Sequence, residues 1–304
     1  MLAPSSHNTQ PWRFRIAARY IDIVADRTRS LRVTDPQGRE LTISCGCALL
    51  NLRIAALHLG LVSESHLFPD GVDSDTIARV EFSPNPVVDA DPALFGAIPT
   101  RRTYRKPFLH QPVEDALVRG LVAEAVREGA WLDIVSDDAM RHSVADLVEE
   151  GDRIQWSRRE WRKELATWMR PPEAGDGLAT SRLSAPLVRM VIRTLNLGRA
   201  LGRRDRRLVE QSPLLAVLGT YGDSAGDWLV AGQALQRLLL WARSRGLQAS
   251  FLNQPIQVAA LREKLTTMLG IAGFPQIVLR IGHPAEETPP SPRRRLGEVA
   301  RTVP

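Results

Sequence analysis

The feature that most restricts the fold is an internal repeat, in which residues 46–61 align without gaps with residues 232–247. Seven of the sixteen positions are identical, at the pairs Gly46/Gly232, Ala48/Ala234, Leu49/Leu235, Leu52/Leu238, Ala56/Ala242, Gly60/Gly246 and Leu61/Leu247. Two unrelated amphipathic helices would share the leucine spacing, but they would not share a glycine at both ends. The repeat therefore indicates a duplicated unit, and its small residues favour close packing between helices.

Strand and helix patterns alternate around the two repeats. Helices are expected at about 44–59, 112–128 and 228–244, and a charged helical region at 139–207. Short strands are expected at 13–16, 20–24, 78–82, 131–135, 214–220, 249–252 and 277–281. This alternation indicates a mixed α/β or α+β chain, and the pattern alone does not separate the two classes.

Composition restricts the location of the protein. The chain has 304 residues, of which 44% are hydrophobic, so it can bury a substantial core. A membrane span needs a run of roughly 20 apolar residues. The longest candidate, residues 183–197, is broken by Arg189 and Arg193. Residues 1–4 lack the features of a signal peptide. We therefore expect a cytoplasmic protein with no membrane partner.

The positive charge of the chain is nearly all arginine. Net charge is +6, with 40 basic and 34 acidic residues. Arginine-rich surfaces bind nucleic acids, but they also arise as solvated helix faces or as specific anion sites. The arginine clusters lie far apart in sequence and accompany no DNA-binding motif, so we expect no nucleic-acid partner.

Cysteine and histidine spacing predicts no metal site. Cys45 and Cys47 form a C-x-C pair, which is unfavourable for a disulfide and too few ligands for structural zinc. We interpret them as small apolar residues entering a helix. The six histidines show no metal-ligand spacing.

Four short segments carry candidate chemistry. Residues 3–12 form a rigid loop rich in hydrogen-bonding groups, which could contact a polar heterocycle, although composition alone favours a capped turn before a strand. Arg101, Thr103 and Arg105 share one face if the chain is extended, as a phosphate site or a solvated basic strand would. Arg293 and Arg295 repeat that spacing in a tail that could also be disordered, and residues 253–257 form an amide-rich loop.

Taken together, these segments resemble the nitroreductase superfamily of flavoproteins, and specifically its fused, Acg-type twin members. The family carries a P-S-x-x-N-x-Q-P-W loop, an R-x-S-x-R element, a P-I-E-G-type loop and a late basic pair. The matching residues are Pro4, Ser5, Ser6, Asn8, Gln10, Pro11 and Trp12 for the first, Arg101, Thr103 and Arg105 for the second, Pro255, Ile256 and Gln257 for the third, and Arg293 and Arg295 for the fourth. Thr replaces Ser in the second, and Gln replaces Glu in the third.

The order of these elements is that of a fused pair. Ordinary nitroreductases are dimers in which one subunit supplies the P-S-x-x-N loop and the other supplies the arginines. The resemblance therefore implies an α+β nitroreductase-like fold with two halves, 1–98 and 99–304, in an intramolecular pseudo-dimer. Relatives usually have a further helix before the loop, so the first half looks truncated at its start. A monomer is expected, and higher oligomers stay open.

The resemblance also implies a cofactor and its ligands. One FMN per chain would place its phosphate on Arg101, Thr103, Arg105, Arg293 and Arg295, with Arg207 added by a looser alignment. Pro4, Ser5, Ser6, Asn8 and Gln10 would contact its ring or ribityl chain, and the loop of Pro255, Ile256 and Gln257 would place a backbone N–H near the flavin N5. No side chain needs to act as a general base, because the flavin performs the chemistry.

Two functions follow from the resemblance. One is NAD(P)H-dependent, two-electron reduction of a small acceptor of the nitroaromatic or quinone type. The other is an FMN-sequestering or sensing protein with little turnover. Residues 155–197, with Trp156, Trp161 and Trp168, would form a lid over the flavin, or equally an ordinary helical hairpin with buried tryptophans.

Overall fold

Two β-sheets flank a central pair of helices in the computed structural model, which describes residues 1–84 and 91–303. The strands are β1 Trp12–Ile16, β2 Tyr20–Ala25, β3 Leu61–Leu67, β4 Thr76–Pro84, β5 Trp131–Ile134, β6 Met169–Arg170, β7 Leu178–Ala179, β8 Leu214–Thr220, β9 Gln248–Phe251, β10 Phe274–Gly282 and β11 Ala300–Thr302. The helices are α1 Arg39–His58, α2 Pro92–Ala97, α3 Asp115–Arg127, α4 Asp138–Ser157, α5 Arg159–Thr167, α6 Ala185–Thr194, α7 Gly198–Glu210, α8 Ala225–Ser244, α9 Gln254–Gln257, α10 Ala259–Leu269 and α11 Leu296–Val299.

Most strand pairs in the two larger sheets are antiparallel, which places the chain in the α+β class. One sheet has the order β11-β1-β2-β4-β3, in which only β1 and β11 pair in parallel. The other has the order β5-β8-β10-β9 and is antiparallel throughout. The C-terminal strand β11 therefore completes the sheet that the N-terminal strand β1 begins.

The two repeat helices, α1 and α8, pack directly on each other in the core. A Cβ atom added to Gly232 would lie 2.1 Å from the carbonyl oxygen of Ile43 and 2.9 Å from the Cα atom of Gly46. The matched glycines therefore mark the helix crossing, where only a hydrogen atom fits between the backbones. Close packing between the repeat helices, expected from their small residues, is confirmed.

The central helices share one buried cluster with both sheets. Alternate residues of β8 point to opposite faces, as in any strand. Leu214, Ala216 and Leu218 join the cluster around α1 and α8, whereas Leu215 and Val217 pack with residues of α4 and α10. The four-stranded sheet is thus buried on both faces, which explains why β8 is apolar at almost every position.

Several predicted boundaries differ from the structure. Helix α1 begins at Arg39, five residues before the expected start. Strand β3 was not expected, because its Ser-Glu-Ser-His sequence is polar and it lies at the edge of its sheet. The basic segment is not a disordered tail, because Arg293 and Arg294 are hydrogen-bonded to the N-terminal loop and residues 296–302 form α11 and β11. The predicted strand 214–220 is confirmed at both ends.

Helix α1 is unusually apolar along its length. Within the described residues, α1 alone is long and apolar enough to cross a membrane, and 72% of its most apolar window is buried inside the protein. A helix that is apolar on all sides is buried in a large core or in lipid. The packing of α1 between the two sheets accounts for its composition.

Candidate functional site

A cavity of about 390 Å³ lies where the N-terminal loop, residues 101–105, helix α4 and the segment after β9 meet. Its volume falls within the range of sites that bind small molecules and cofactors. The residues expected from the sequence that line it are Pro4, Ser5, Ser6, Asn8, Arg101, Thr103, Arg105, Gln257 and Arg293. Segments separated by almost the whole chain therefore form one site.

The N-terminal loop enters the cavity in a strained conformation. His7, Asn8 and Gln10 have φ angles of 51°, 54° and 50°, in the left-handed region that residues other than glycine rarely adopt. Such strain costs roughly 1–3 kcal/mol for each residue and persists where neighbouring contacts fix it. Strained backbone at the wall of a cavity is typical of a binding site.

The side chain of Asn8 supplies part of that fixation. Its Nδ2 donates to the carbonyl oxygens of Gly177 and Pro292, at 3.2 and 3.0 Å. Its Oδ1 accepts from Nη1 of Arg293 at 2.7 Å. The amide therefore connects the N-terminal loop to two later segments and positions Arg293, with little hydrogen-bonding capacity left for a ligand.

Basic side chains with free donors form one wall. Arg101 is 5% exposed, and its Nε and Nη1 have no hydrogen-bond acceptor among the described residues. Burial, followed by the charge of Arg293, lowers the pKa of Arg101 to about 9. Burial also lowers the pKa of Arg293 to about 10. With Thr103 and the exposed Arg105 on the same wall, the arrangement suits an anion such as a phosphate dianion.

A buried carboxylate next to this wall was not anticipated from the sequence. Glu40, in the first turn of α1, accepts from Ser6 Oγ at 2.5 Å and from Gln257 Nε2 at 2.8 Å. Gln257 in turn accepts from Gln155 Nε2 at 2.7 Å. This chain of hydrogen bonds fixes the orientation of the Gln257 amide and joins the N-terminal loop, α1, α9 and α4 at the cavity.

His7 lines the cavity with an unpaired ring nitrogen. Its Nε2 is buried and has no partner among the described residues. Burial lowers the pKa of the imidazole, so the ring is neutral at neutral pH. A neutral imidazole can donate or accept a hydrogen bond towards a ligand in the cavity.

A pair of carboxyl groups forms another part of the lining. Asp152 of α4 and Asp205 of α7 lie 3.2 and 3.1 Å from the same donor, Nε2 of Gln254. Burial, with the charge of Asp205 as a second cause, raises the pKa of Asp152 to about 7, and burial raises the pKa of Asp205. Buried Arg280 and exposed Arg204 also line the cavity. Asp152 can therefore hold a proton near neutral pH.

Tryptophans cover the cavity. Trp156 at the end of α4 and Trp161 of α5 are buried and line it, with ring centroids 5.4 Å apart in an edge-on arrangement. Ile192 of α6 packs in the same cluster, and Leu165 packs against it. Trp168, the third tryptophan of this region, does not line the cavity, and the guanidinium carbons of Arg29 and Arg170 lie 5.4 and 4.6 Å from its ring centroid. Helices α5 and α6 thus form an apolar cover.

Comparison with known proteins identifies the family. No protein-family model matches the chain. A Mycobacterium tuberculosis protein whose name assigns it as an NAD(P)H nitroreductase, Rv3131, is 33% identical over 307 residues, covering 98% of this chain and 87% of the relative. The chain belongs to the NAD(P)H nitroreductase family. The protein named acg, from the same organism, is 31% identical over 308 residues, with 98% and 91% covered.

More distant similarities are weaker. PigM of Serratia, also named as an NAD(P)H nitroreductase, is 25% identical over 326 residues, covering 99% of this chain and 91% of PigM. Nitroreductase A from Vibrio parahaemolyticus aligns with a TM-score of 0.44 and 13% identity over 68% of this chain and 75% of that one. The membership in the nitroreductase family therefore rests on the sequence relatives.

Five residues expected in the site do not line the cavity, namely Gln10, Arg207, Pro255, Ile256 and Arg295. Gln10 is buried, and its amide joins Gly175 O at 2.8 Å to the backbone N–H of Arg294 at 3.0 Å. Arg207 is exposed, because Arg204, Asp205 and Leu208 occupy the inner face of α7.

The other three are displaced for local reasons. Pro255 and Ile256 are buried, and Ile256 packs in the cluster beneath the four-stranded sheet. Arg295 is exposed because the chain turns into α11 directly after it, so the alternation that places Arg293 inside does not continue. Arg294, which lies between the two expected arginines, is buried, and its Nη1 donates to Gln10 O at 3.2 Å.

Metal ligation has no structural support. Within residues 1–84 and 91–303, no group of three or more His, Cys, Asp or Glu residues is placed to hold a metal ion. Cys45 and Cys47 are free and buried in α1, as the interpretation of small apolar residues predicted.

Proposed function

We propose that this member of the nitroreductase family binds one FMN in the cavity and uses NAD(P)H to reduce a small acceptor, of the nitroaromatic or quinone type, by two electrons. The observation that carries the proposal is the basic wall, where two buried nitrogens of Arg101 have no acceptor among the residues that the structure describes. Unpaired buried charge is unfavourable unless a counter-charge binds there. The FMN phosphate is such a counter-charge, and the relatives are named for NAD(P)H-dependent reduction.

The lining fits the rest of FMN as well. Arg101, Thr103 and Arg293 would hold the phosphate, with Arg105 adding charge from the cavity rim. Ser5 and Ser6 present hydroxyls to the cavity, and Gln257 presents an amide whose orientation is fixed by Glu40. Bound FMN would supply the redox chemistry, because its ring accepts and donates hydride equivalents.

The residues of the chain would bind and orient the FMN and shield its ring from water. The apolar cover of Trp156 and Trp161 would exclude water from the reacting centre. Neutral His7 would offer a hydrogen bond without adding charge. Asp152 would hold a proton on its carboxyl group near pH 7, at the wall of the same cavity, and so would be able to protonate a reduced acceptor.

The division of labour between the halves follows the proposed duplication. Residues 1–98 would supply Ser5 and Ser6, and residues 99–304 would supply Arg101, Thr103 and Arg105. The contact between α1 and α8 at the matched glycines supports an intramolecular pseudo-dimer, since these are the corresponding helices of the two halves. A monomer would then contain one complete site, with no second subunit needed.

A second function is favoured by the cover. Because Trp156 and Trp161 are both buried against the cavity, a nicotinamide would need the cover to open before it reached the flavin. If residues 155–197 stay closed, the protein would sequester FMN or sense its redox state with little turnover.

The proposal is tested by spectroscopy on the purified protein. A flavin absorbance spectrum is recorded after addition of FMN and gel filtration, and NADPH is then added without oxygen. Arg101→Ala is compared with Arg207→Ala and Arg295→Ala, which remove the same side chain outside the cavity. Each charge-assisted hydrogen bond contributes about 1.5–3 kcal/mol. Loss of two such bonds should lower FMN affinity at least a hundredfold in Arg101→Ala, whereas Arg207→Ala and Arg295→Ala should keep the affinity of the wild type.

Each outcome has a distinct meaning. Flavin that binds and bleaches with NADPH supports the oxidoreductase. Flavin that binds and stays oxidised supports the sequestering or sensing protein. Failure to bind FMN, or equal losses in Arg101→Ala and Arg207→Ala, contradicts the proposed cofactor site.

A further inference from the structure

Helix α6 is apolar on its outer side as well as on its inner side. Ala185 and Ile192 of α6 are buried, and Ile192 packs in the cluster that contains Trp156 and Trp161. Leu183, just before the helix, is 93% exposed, and Leu187 and Met190 are 59% and 56% exposed. Leu187 and Met190 are three residues apart in α6 and therefore share one face of the helix, and Leu183 lies in the turn that leads into it. A surface helix normally presents polar residues outward, so an apolar outer face indicates a second contact.

The charge around this face has one sign. Residues 177–204 contain six arginines and no aspartate or glutamate. Arg182 and Arg193 flank these apolar residues and are exposed, and neither takes part in a salt bridge among the described residues. Apolar side chains bordered by unpaired arginines are the arrangement that binds the surface of an anionic membrane.

We propose that the outer face of α6 docks on an anionic phospholipid bilayer, with the helix axis in the membrane plane. Leu183, Leu187 and Met190 would enter the boundary between headgroups and acyl chains, and Arg182 and Arg193 would bind the phosphates. Each basic residue near such a surface raises the affinity by about fivefold. The expectation of no membrane partner was based on the lack of a segment that could span a membrane. A helix that lies on the membrane surface does not need such a segment.

A second copy of the chain is a less suitable occupant. Symmetric dimers place the same surface patch opposite itself, so α6 would face α6. Arg182 and Arg193 of the two copies would then lie close together with no acidic residue in the segment to separate them, and like charges across an interface are strongly unfavourable. A bilayer supplies negative charge and an apolar phase together.

Docking there would place the cavity cover at the membrane. Ile192, on the inner side of α6, packs in the same cluster as Trp156 and Trp161, which line the cavity. This consequence, unlike the docking itself, rests on the proposed function: a quinone dissolved in the bilayer would reach the flavin without crossing water.

The experiment measures binding of the FMN-loaded full chain to lipid vesicles by sedimentation. Vesicles of phosphatidylcholine alone are compared with vesicles containing one quarter phosphatidylglycerol, each at low salt and at roughly 0.5 M salt. The higher concentration screens most of the attraction between the arginines and the lipid phosphates. The test variants are Leu183→Ser/Leu187→Ser/Met190→Ser and Arg182→Gln/Arg193→Gln. The control is Leu59→Ser/Val126→Ser, which removes apolar side chains that are 72% and 60% exposed elsewhere. Circular dichroism and flavin content establish that each variant is folded.

We expect the wild type and the control to bind anionic vesicles and to bind phosphatidylcholine at least tenfold more weakly. Both test variants should lose at least tenfold in affinity for anionic vesicles while keeping their flavin. Equal binding by the control and the triple variant would overturn the proposal. The proposal would also be overturned if the wild type forms a dimer that does not bind vesicles and the triple variant is a monomer. That result would show that a second copy of the chain covers this face. Loss of flavin from the wild type would contradict the proposed function but not the docking.

Discussion

Replacing Arg101 by methionine should have effects of opposite sign on stability and on flavin binding. The guanidinium is 5% exposed, and two of its nitrogens have no acceptor among the described residues. Methionine keeps much of the side-chain volume and removes the charge. The flavin-free protein should therefore become more stable, and the affinity for FMN should fall.

The magnitude follows from the electrostatics of the site. Each tenfold change in proton affinity corresponds to about 1.4 kcal/mol, so a pKa lowered to about 9 places a penalty of about 5 kcal/mol on charged Arg101. Relaxation of the site reduces that figure, and replacement of buried charges by apolar residues has stabilised proteins by about 1–4 kcal/mol. We expect a gain of about 1–3 kcal/mol without flavin. Loss of two charge-assisted hydrogen bonds should weaken FMN binding at least a hundredfold.

The assay combines urea unfolding of flavin-free protein with titration of FMN by fluorescence, both in buffer without phosphate. Arg295→Met is the matched control, because Arg295 is exposed and lies outside the cavity. If Arg101→Met destabilises the flavin-free protein, the guanidinium is a structural element and the electrostatic argument is wrong. If FMN affinity is unchanged, the phosphate does not bind at this wall.

Two further predictions concern the carboxyl pair and the helix crossing. Burial raises the pKa of Asp152 to about 7, so the folded protein holds more protons than the unfolded chain between about pH 4 and 7, and stability from this group is lost as pH rises through 7. Asp152→Asn should flatten the pH dependence of the free energy of unfolding and raise that free energy by up to about 4 kcal/mol at pH 8. If the pH dependence changes no more in Asp152→Asn than in Asp70→Asn, where the replaced residue is exposed, this prediction is wrong. Gly232→Ala should lower the free energy of unfolding in urea by more than about 3 kcal/mol, because its Cβ would lie 2.1 Å from a backbone oxygen. The control Gly226→Ala should be neutral or slightly stabilising, because the nearest atom to its Cβ would be 3.6 Å away. Equal losses in the two variants would exclude the helix crossing as the cause.

The parts of the fold that the sequence predicted are those with strong local periodicity. The small residues of the repeat indicated close packing between helices, and it occurs where Gly46 meets Gly232. The other matched pair, Gly60 and Gly246, has positive φ angles just after the two helices, which glycine adopts without strain. Strand β3 could not be recognised, since an edge strand with polar residues on its exposed face has the composition of a loop. The start of α1 was placed too late because Arg39 and Glu40 are charged, although both are buried in the structure.

The candidate site was predicted where its residues follow one another in short motifs. Arg101, Thr103 and Arg105 lie on one wall as their alternation implied. Asp152 and Asp205 could not be paired from sequence, because each is an isolated acid on a charged helix and only the packing of α4 on α7 brings them to Gln254. The extrapolation to Arg295 failed because alternation holds only while the chain stays extended.

The ends of the chain meet at the cavity, and this sets when a flavin can be captured during protein synthesis. Asn8 and Arg293 are hydrogen-bonded although they lie 285 residues apart, and β11 fills the edge of the sheet that β1 begins. At about 5–20 residues per second, a ribosome needs roughly 15 to 60 s between these two residues. Until then β1 has an unpaired edge and the basic wall lacks Arg293. If FMN binds at this wall, as proposed, it would bind only after residue 293 has been synthesised and folded into place, and FMN supplied to the folded protein should be sufficient for full incorporation.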